Sequence, residues 1–176
     1  DVAGITVTPT SGLTTTEAAT TATFTVVLDA KPTADVVIPI SSGDTAEVSV
    51  SPASLTFTTG NWDSAQTVTL TGADDAGAVD GSIPVAITLG AVTSSDTANY
   101  DGLDPNDVTV TNNDNDVAGI TVSPTSGLTT TEGGGTAQFT VVLDGAPSAD
   151  VTIAVSSGDE SEVTVSTSLL TFTSAN

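Results

Sequence analysis

The sequence predicts an all-β chain, an antiparallel β-sandwich carried in tandem copies, and three observations support that reading. Aliphatic residues alternate with threonine at period two along short runs such as "ATFTVVLD" and "QTVTLTG", which places one side of each run in a core and the other in water. The runs are bounded by Gly, Pro, Asp and Asn, and no stretch shows the period of an amphipathic helix. The opening "DVAGITV" of Asp1 to Val7 then returns at Asp116 to Val122, behind the acidic "TNNDN".

Taken in order, "GITVTP" puts Ile5 and Val7 on one face, "ATFTVVLD" turns Phe24, Val26 and Leu28 inward, and "DVVIPIS" offers Val36, Ile38 and Ile40. "EVSVSP" and "SLTFTT" follow with Val48, Val50, Leu55 and Phe57. "QTVTLTG", "SIPVAITL" and "DVTVTN" complete the set with Val68 and Leu70, then Val85, Ile87 and Leu89, then Val108 and Val110. About eight such strands make two packed sheets. Threonine suits the outer faces because its branched carbon favours the pleat while its hydroxyl stays wet. Pro39 cannot donate to a ladder, so its strand is expected at an edge or bulged there. Trp62, in "TGNWDSAQ", reads as a ring plugging one end of the sandwich, with a sugar-stacking platform as the sharper alternative. Tyr100, in "ANYDGL", reads as a loop-anchoring phenol.

The repeat sets the domain organisation. Asp1 matches Asp116, Glu17 matches Glu132, Phe24 matches Phe139, Asp29 matches Asp144, Asp44 matches Asp159, Phe57 matches Phe172 and Asn61 matches Asn176, with a constant offset and no insertion. About two-thirds of the paired positions are identical, which marks domain-sized tandem copies rather than a short solenoid repeat. Residues 1–115 are therefore read as a complete sandwich repeat, and 116–176 as the truncated N-terminal part of a second. The second copy has no counterpart of "WDSAQTVTLTG", "SIPVAITLG" or "DVTVTNND". Without them it would expose its inner face and unpaired edges, so the expectation is a window onto a longer array. The alternative is that another molecule donates the strands. Asp1 then reads as the trailing acid of an earlier junction, with a further copy upstream.

The chain has 176 residues and a formal charge of -21, from 22 acids against one base, Lys31. Nucleic acid and anionic membrane surfaces are thereby poor partners, and metal cations are the natural counter-charge. A hydrophobic fraction of 38% and a mean hydropathy of +0.21 set it apart from a disordered acidic tail. Cys, His and Met are absent, which removes disulfides, thiolate metal sites and the usual nucleophile–base pairs. No Gly-rich phosphate loop is present, "SSGD" at Ser41 to Asp44 lacks a base, and aromatic residues are only 3%, too few for the subsites of a carbohydrate cleft. The expectation is a non-enzyme. No apolar run is long enough to span a bilayer, so any secretion signal is expected outside this segment.

Three acidic groups stand at strand ends. Asp74 and Asp75, with Asp80 following, lie in "TGADDAGAVDG"; Asp114 and Asp116 lie in "NNDND"; Glu17 stands alone in "LTTTEAA". Carboxylates a few ångströms apart repel by about 1 kcal/mol each even in water, and a purely oxygen donor set points to Ca²⁺ rather than zinc. The bland reading, solvated turn acids, stands beside it, since Asp and Asn favour loops whatever the function. The EF-hand pattern is missing, because "DNDVAG" lacks the later acidic ligand and the flanking helices.

At "VTVTNNDNDVAGI" the chain resembles the Calx-β domain, a family described as Ca²⁺-binding sandwiches of sodium-calcium exchangers, integrin β4 and many bacterial surface proteins. The resemblance rests on the acidic end of the last strand, Asp114, Asn115 and Asp116, followed by Ala118, Gly119 and Ile120. It extends to the paired Asp74 and Asp75 with Asp80 after an inner strand, and to Glu17 with its counterpart in "TEGGG". It covers essentially all of the first copy. Asn115 stands where an aspartate is usual, Gly and Ala flank Asp80, and Ala-Ala follows Glu17. The resemblance implies Ca²⁺ held by Glu17, Asp74, Asp75, Asp80, Asp114 and Asp116, with Asp44 as a further candidate. It also implies a structural repeat of a secreted or cell-surface bacterial protein, a Ca²⁺-stabilised stalk, adhesin or extracellular fibre. Its partners would be neighbouring repeats of the same chain and other copies in a fibre, with no nucleic acid and no membrane insertion. A glycan- or protein-binding module and a strand-exchanging filament are the alternatives.

Overall fold

The computed structural model describes residues 2–75 and 77–175. Asp1, read above as the acid of an earlier junction, lies outside the described residues, as do Ala76 and Asn176. The chain divides into two compact units, Asp1–Asp75 with Gly81–Asn115, and Ala76–Asp80 with Asp116–Asn176. Every regular element among the described residues is a strand, and the fold is an all-β sandwich.

In the first unit, one sheet runs β1 (Ile5–Thr8), β3 (Thr21–Leu28), β7 (Gln66–Gly72), β5 (Val48–Ser51), all neighbours antiparallel. The second runs β2 (Leu13–Thr16), β10 (Val108–Asn113), β8 (Ile83–Leu89), β4 (Val36–Ser42), β6 (Ser54–Phe57), with the two-residue β9 (Thr93–Ser94) also on β4. Its pairs are antiparallel except β2 with β10, which are parallel. Alternation does the sorting. Phe24, Val26, Val68 and Leu70 from the first sheet and Ile38, Phe57, Ile87, Leu89 and Val108 from the second close into one buried cluster. Each such side chain contributes about 1.5–3 kcal/mol on leaving water.

Two strands were not visible in the sequence. "LTTT" of β2 has no apolar alternation and β9 is only two residues long; both exist because a neighbour supplies the ladder, β10 for β2 and β4 for β9. The expected edge position for Pro39 is also corrected, since β4 has neighbours on both sides. On one side β9 pairs only with Val36 and Val37, and β8 begins at Ile40. The missing N–H of Pro39 falls between them.

Loops are tied by named groups. The Tyr100 hydroxyl donates to the Ala30 carbonyl and accepts the Ala30 N–H at 3.2 Å. Asp96, also buried, accepts the Thr33 N–H at 2.9 Å and the Asn99 amide at 2.8 Å. These bonds join the segment after β9 to the β3–β4 connection. Trp62 packs half-buried against the core, and its carbonyl accepts the Leu28 N–H at 3.2 Å.

The second unit holds two antiparallel pairs, β11 (Ile120–Ser123) with β12 (Thr140–Leu143) and β13 (Val151–Ala154) with β14 (Leu169–Phe172). Their registers, Ile120↔Leu143 and Val151↔Phe172, are the counterparts of Ile5↔Leu28 and Val36↔Phe57. A side-chain clasp repeats too: Thr6 donates to Asp29 at 2.7 Å, and Thr121 donates to Asp144 at 2.7 Å. The segment 77–80 joins this unit through a parallel bridge of Ala78 with Ala146, where the Ala146 N–H donates to the Gly77 carbonyl at 2.6 Å.

Candidate metal centre

The parallel pairing of β2 with β10 brings two strand ends to the same place. Thr16 is opposite Asn113, and the ladder runs one step further, with the Glu17 N–H donating to the Asn113 carbonyl at 3.3 Å. Glu17 thus leaves β2 beside the turn that leaves β10, and its carboxylate accepts the Asn115 N–H at 3.1 Å. β7 ends at the same pole of the sandwich. There Gly72 is required, because a Cβ would lie 2.3 Å from the Thr16 carbonyl oxygen and 2.5 Å from Asn112 Oδ1. That close approach brings the chain after β7 to Glu17, and Asp75 is the acid that reaches it.

Opposite β7, the antiparallel β5 begins at Val48, and the residue before it, Glu47, accepts the Ala73 N–H on its carbonyl at 2.8 Å. Asn112, fully buried, links the pieces. Its Oδ1 accepts the Thr15 hydroxyl at 2.9 Å, and its amide donates to Glu47 at 3.2 Å and to the Ala73 carbonyl at 3.1 Å.

Glu17 is 4% exposed and Glu47 9%. A carboxylate oxygen of Asp75 lies within 4.8 Å of one on Glu17 and within 4.8 Å of one on Glu47. Two nearly buried acids beside a third require compensation, since desolvating a charge costs several kcal/mol unless it is paired. The chain's one base, Lys31, is exposed. Hydrogen bonds from Asn112 and the Asn115 N–H supply part of the compensation. A hard cation suits carboxylate oxygens this close, since Ca–O bonds of about 2.3–2.6 Å allow two ligand oxygens on one ion to stand up to about 5 Å apart.

The other sequence candidates are accounted for one by one. Asp74 is exposed, and Asp114, half-buried, accepts the Gly81 N–H at 2.8 Å. Asp80, exposed, and Asp116, half-buried, fall on the segments that belong to the second unit. Asp44 closes a turn, its carboxylate accepting the Ala46 N–H at 3.0 Å, and Asp159 does the same with Ser161 at 3.0 Å. Glu47 and Asn112 escaped the sequence reading. For Glu47 a signal existed: Glu162 keeps it in the second copy, although the two residues before it change from Thr-Ala to Glu-Ser. Asn112 has no counterpart within the chain to flag it.

With this geometry the first unit is a β-sandwich module with an acidic, oxygen-only pole. Its fold has similar solved structures. The apo-form Calx CBD1 domain matches at 19% identity and a TM-score of 0.48, over 66% of this chain and 100% of that one. The calcium binding domain CBD12 of CALX1.1 matches at 17% identity and 0.48, over 64% and 45%. The E. coli chaperone DraB matches at 12% identity and 0.43, over 68% and 60%. At these identities the likeness is one of fold alone, and a fold does not define a function. No family model matches the chain, and no curated protein matches it.

Proposed function

We propose that the chain is a non-catalytic structural repeat of a secreted or cell-surface protein, part of a Ca²⁺-stabilised stalk, adhesin or fibre whose partners are neighbouring repeats and other copies. The observation that carries this reading is the buried pair Glu17 and Glu47 flanking Asp75, in a chain with one base against 22 acids. Asp75 would hold the ion together with Glu17 or with Glu47, each of which brings a carboxylate oxygen within 4.8 Å of one on Asp75, with Asp74, Asp114, Asp80 and Asp116 as the additional oxygen donors the sequence offers. Bound calcium supplies charge neutralisation at the point where the chain leaves β10 for the next repeat. The rest falls to the protein: Asn112 orients Glu47, the Asn115 N–H orients Glu17, and Gly72 lets the two sheets approach. A connection that passes from Val110 to Ile120 without a Gly/Ser-rich stretch suits a stiff array better than a flexible tether.

The test is thermal unfolding of the first unit in Ca²⁺ and in EDTA. Calcium at a hundredfold excess over its Kd should add about 2.7 kcal/mol, a rise of roughly 10–20 °C for a domain of this size. Glu17→Gln should abolish that rise, and Glu132→Gln, at the matching position of the second copy, should leave it intact. Equal melting with and without calcium, together with no heat of binding, overturns the metal reading.

A further inference from the structure

The strands of the first unit are not held alike. β2 stands at one edge of its sheet, with β10 as its one ladder partner over four rungs. Of the unit's strands with four or more residues, it alone buries no apolar side chain: Leu13 is half-buried, Thr14 is exposed, and the side chain taken fully inside is the hydroxyl-bearing Thr15. Every other such strand gives at least one buried aliphatic or aromatic residue to the core. Segments with few buried apolar contacts are the first to open.

What holds β2 is polar, and it converges on Glu17. Inside the sandwich the Thr15 hydroxyl donates to Asn112 Oδ1 at 2.9 Å. The Glu17 N–H donates to the Asn113 carbonyl at 3.3 Å, and the Glu17 carboxylate accepts the Asn115 N–H at 3.1 Å. That carboxylate, nearly buried, stands within 4.8 Å of an Asp75 oxygen, so the pair that a cation would bridge is mutually repulsive without one. Glu47 faces the same acid from a firmer base, because β5 behind it buries Val48 completely and is laddered to β7. The turn after Glu17 adds strain: Ala19 has a φ of 58°, a left-handed conformation unfavourable to an L side chain, where the second copy has Gly134.

We infer that β2 is a calcium-set clasp, docked on β10 when an ion is held between Glu17 and Asp75 and released ahead of the rest of the sandwich when it is not, with Thr15 as the residue that positions Glu17. The inference rests on the calcium reading above and deepens it, by naming the element whose docking the ion controls. Residues two apart on a strand face the same side, so the bond from Thr15 to Asn112 turns Glu17 inward as well. Repulsion and turn strain act at the end of the strand with the least apolar anchorage, and that strand yields first.

The experiment is amide hydrogen exchange on the full chain, in EDTA and in Ca²⁺ in excess over the Kd found by calorimetry. In EDTA the ladder N–H groups of β2 and that of Glu17 should exchange well ahead of those of β8. Calcium at a hundredfold excess should slow them by about a hundredfold, because opening must then release the ion. Thr15→Val keeps the side-chain shape and removes the hydroxyl; it should speed β2 exchange in EDTA by about fivefold and leave β8 unchanged, which shows the sandwich still folded. Thr15→Ser should restore most of the protection. Ala19→Gly relieves the turn and should slow β2 exchange in EDTA severalfold. A heat of calcium binding with β2 and β8 exchanging together in both solutions overturns the clasp and leaves the calcium reading standing. No heat of binding overturns both. Equal effects of Thr15→Ser and Thr15→Val overturn the positioning role of Thr15.

Discussion

Phe24 and Phe139 occupy the same place in two stretches of nearly the same sequence, yet the first is 1% exposed and the second 42%. Around them the short-range structure agrees: register, the Thr–Asp clasp and the Ser-Gly-Asp turn appear in both copies. Turn closure and hairpin-like register are therefore encoded within about 30 residues. Burial is not. It depends on β7, β8 and β10, which in the first copy arrive from beyond residue 61. The core belongs to the whole repeat, and the ladders belong to its parts.

That contrast can be broken at several levels. The largest effect is expected from Phe24→Ala, which should cost about 3–5 kcal/mol in denaturant unfolding of the first unit. Phe139→Ala in the same chain should change it by less than about 0.5 kcal/mol; equal losses would mean that the copies share one core. Tyr100→Phe comes next, removing the donor to the buried Ala30 carbonyl at a cost of about 1–3 kcal/mol. Residues 116–176 contain no tyrosine, so this loss too should appear only in the first transition.

The smallest effects concern protons. The Thr33 N–H and then the Asn99 amide hold Asp96 below the ordinary carboxylate range, and the Ser161 hydroxyl and N–H do the same for Asp159. A depressed folded pKa contributes stability that is full above the unfolded value, near 3.9, and is lost as pH falls through the folded value. Asp96→Asn should therefore flatten the acid limb of the first unit's stability curve below about pH 4. Asp159→Asn should leave that limb unchanged, because Asp159 closes only a local turn in the second unit. Carboxyl titration by NMR checks both directions.

Much of this was legible from period two alone. Phe24, Val26, Ile38, Phe57, Val68, Leu70, Ile87 and Val108 all read as inward and are all buried. β2 was not legible, because four residues of Leu-Thr-Thr-Thr carry no alternation and their strand state comes from β10 nearly a hundred residues away. The acidic pole was half legible. Glu17 and Asp75 stand out as charges at strand ends, while Glu47 hides before a strand start and becomes a neighbour of Asp75 only when β5 lies against β7. Pairwise proximity across a sheet has no local sequence signature.

The parallel run of β2 beside β10 has a mechanical consequence. The chain enters β2 from its N-terminal side at Leu13 and leaves β10 from its C-terminal side at Asn113, so tension along the polypeptide slides the two strands past one another. The rungs from Leu13↔Val110 to Thr16↔Asn113 are then loaded together in shear, whereas an antiparallel pair pulled from one end unzips bond by bond. A parallel ladder loaded this way resists extension through four rungs at once.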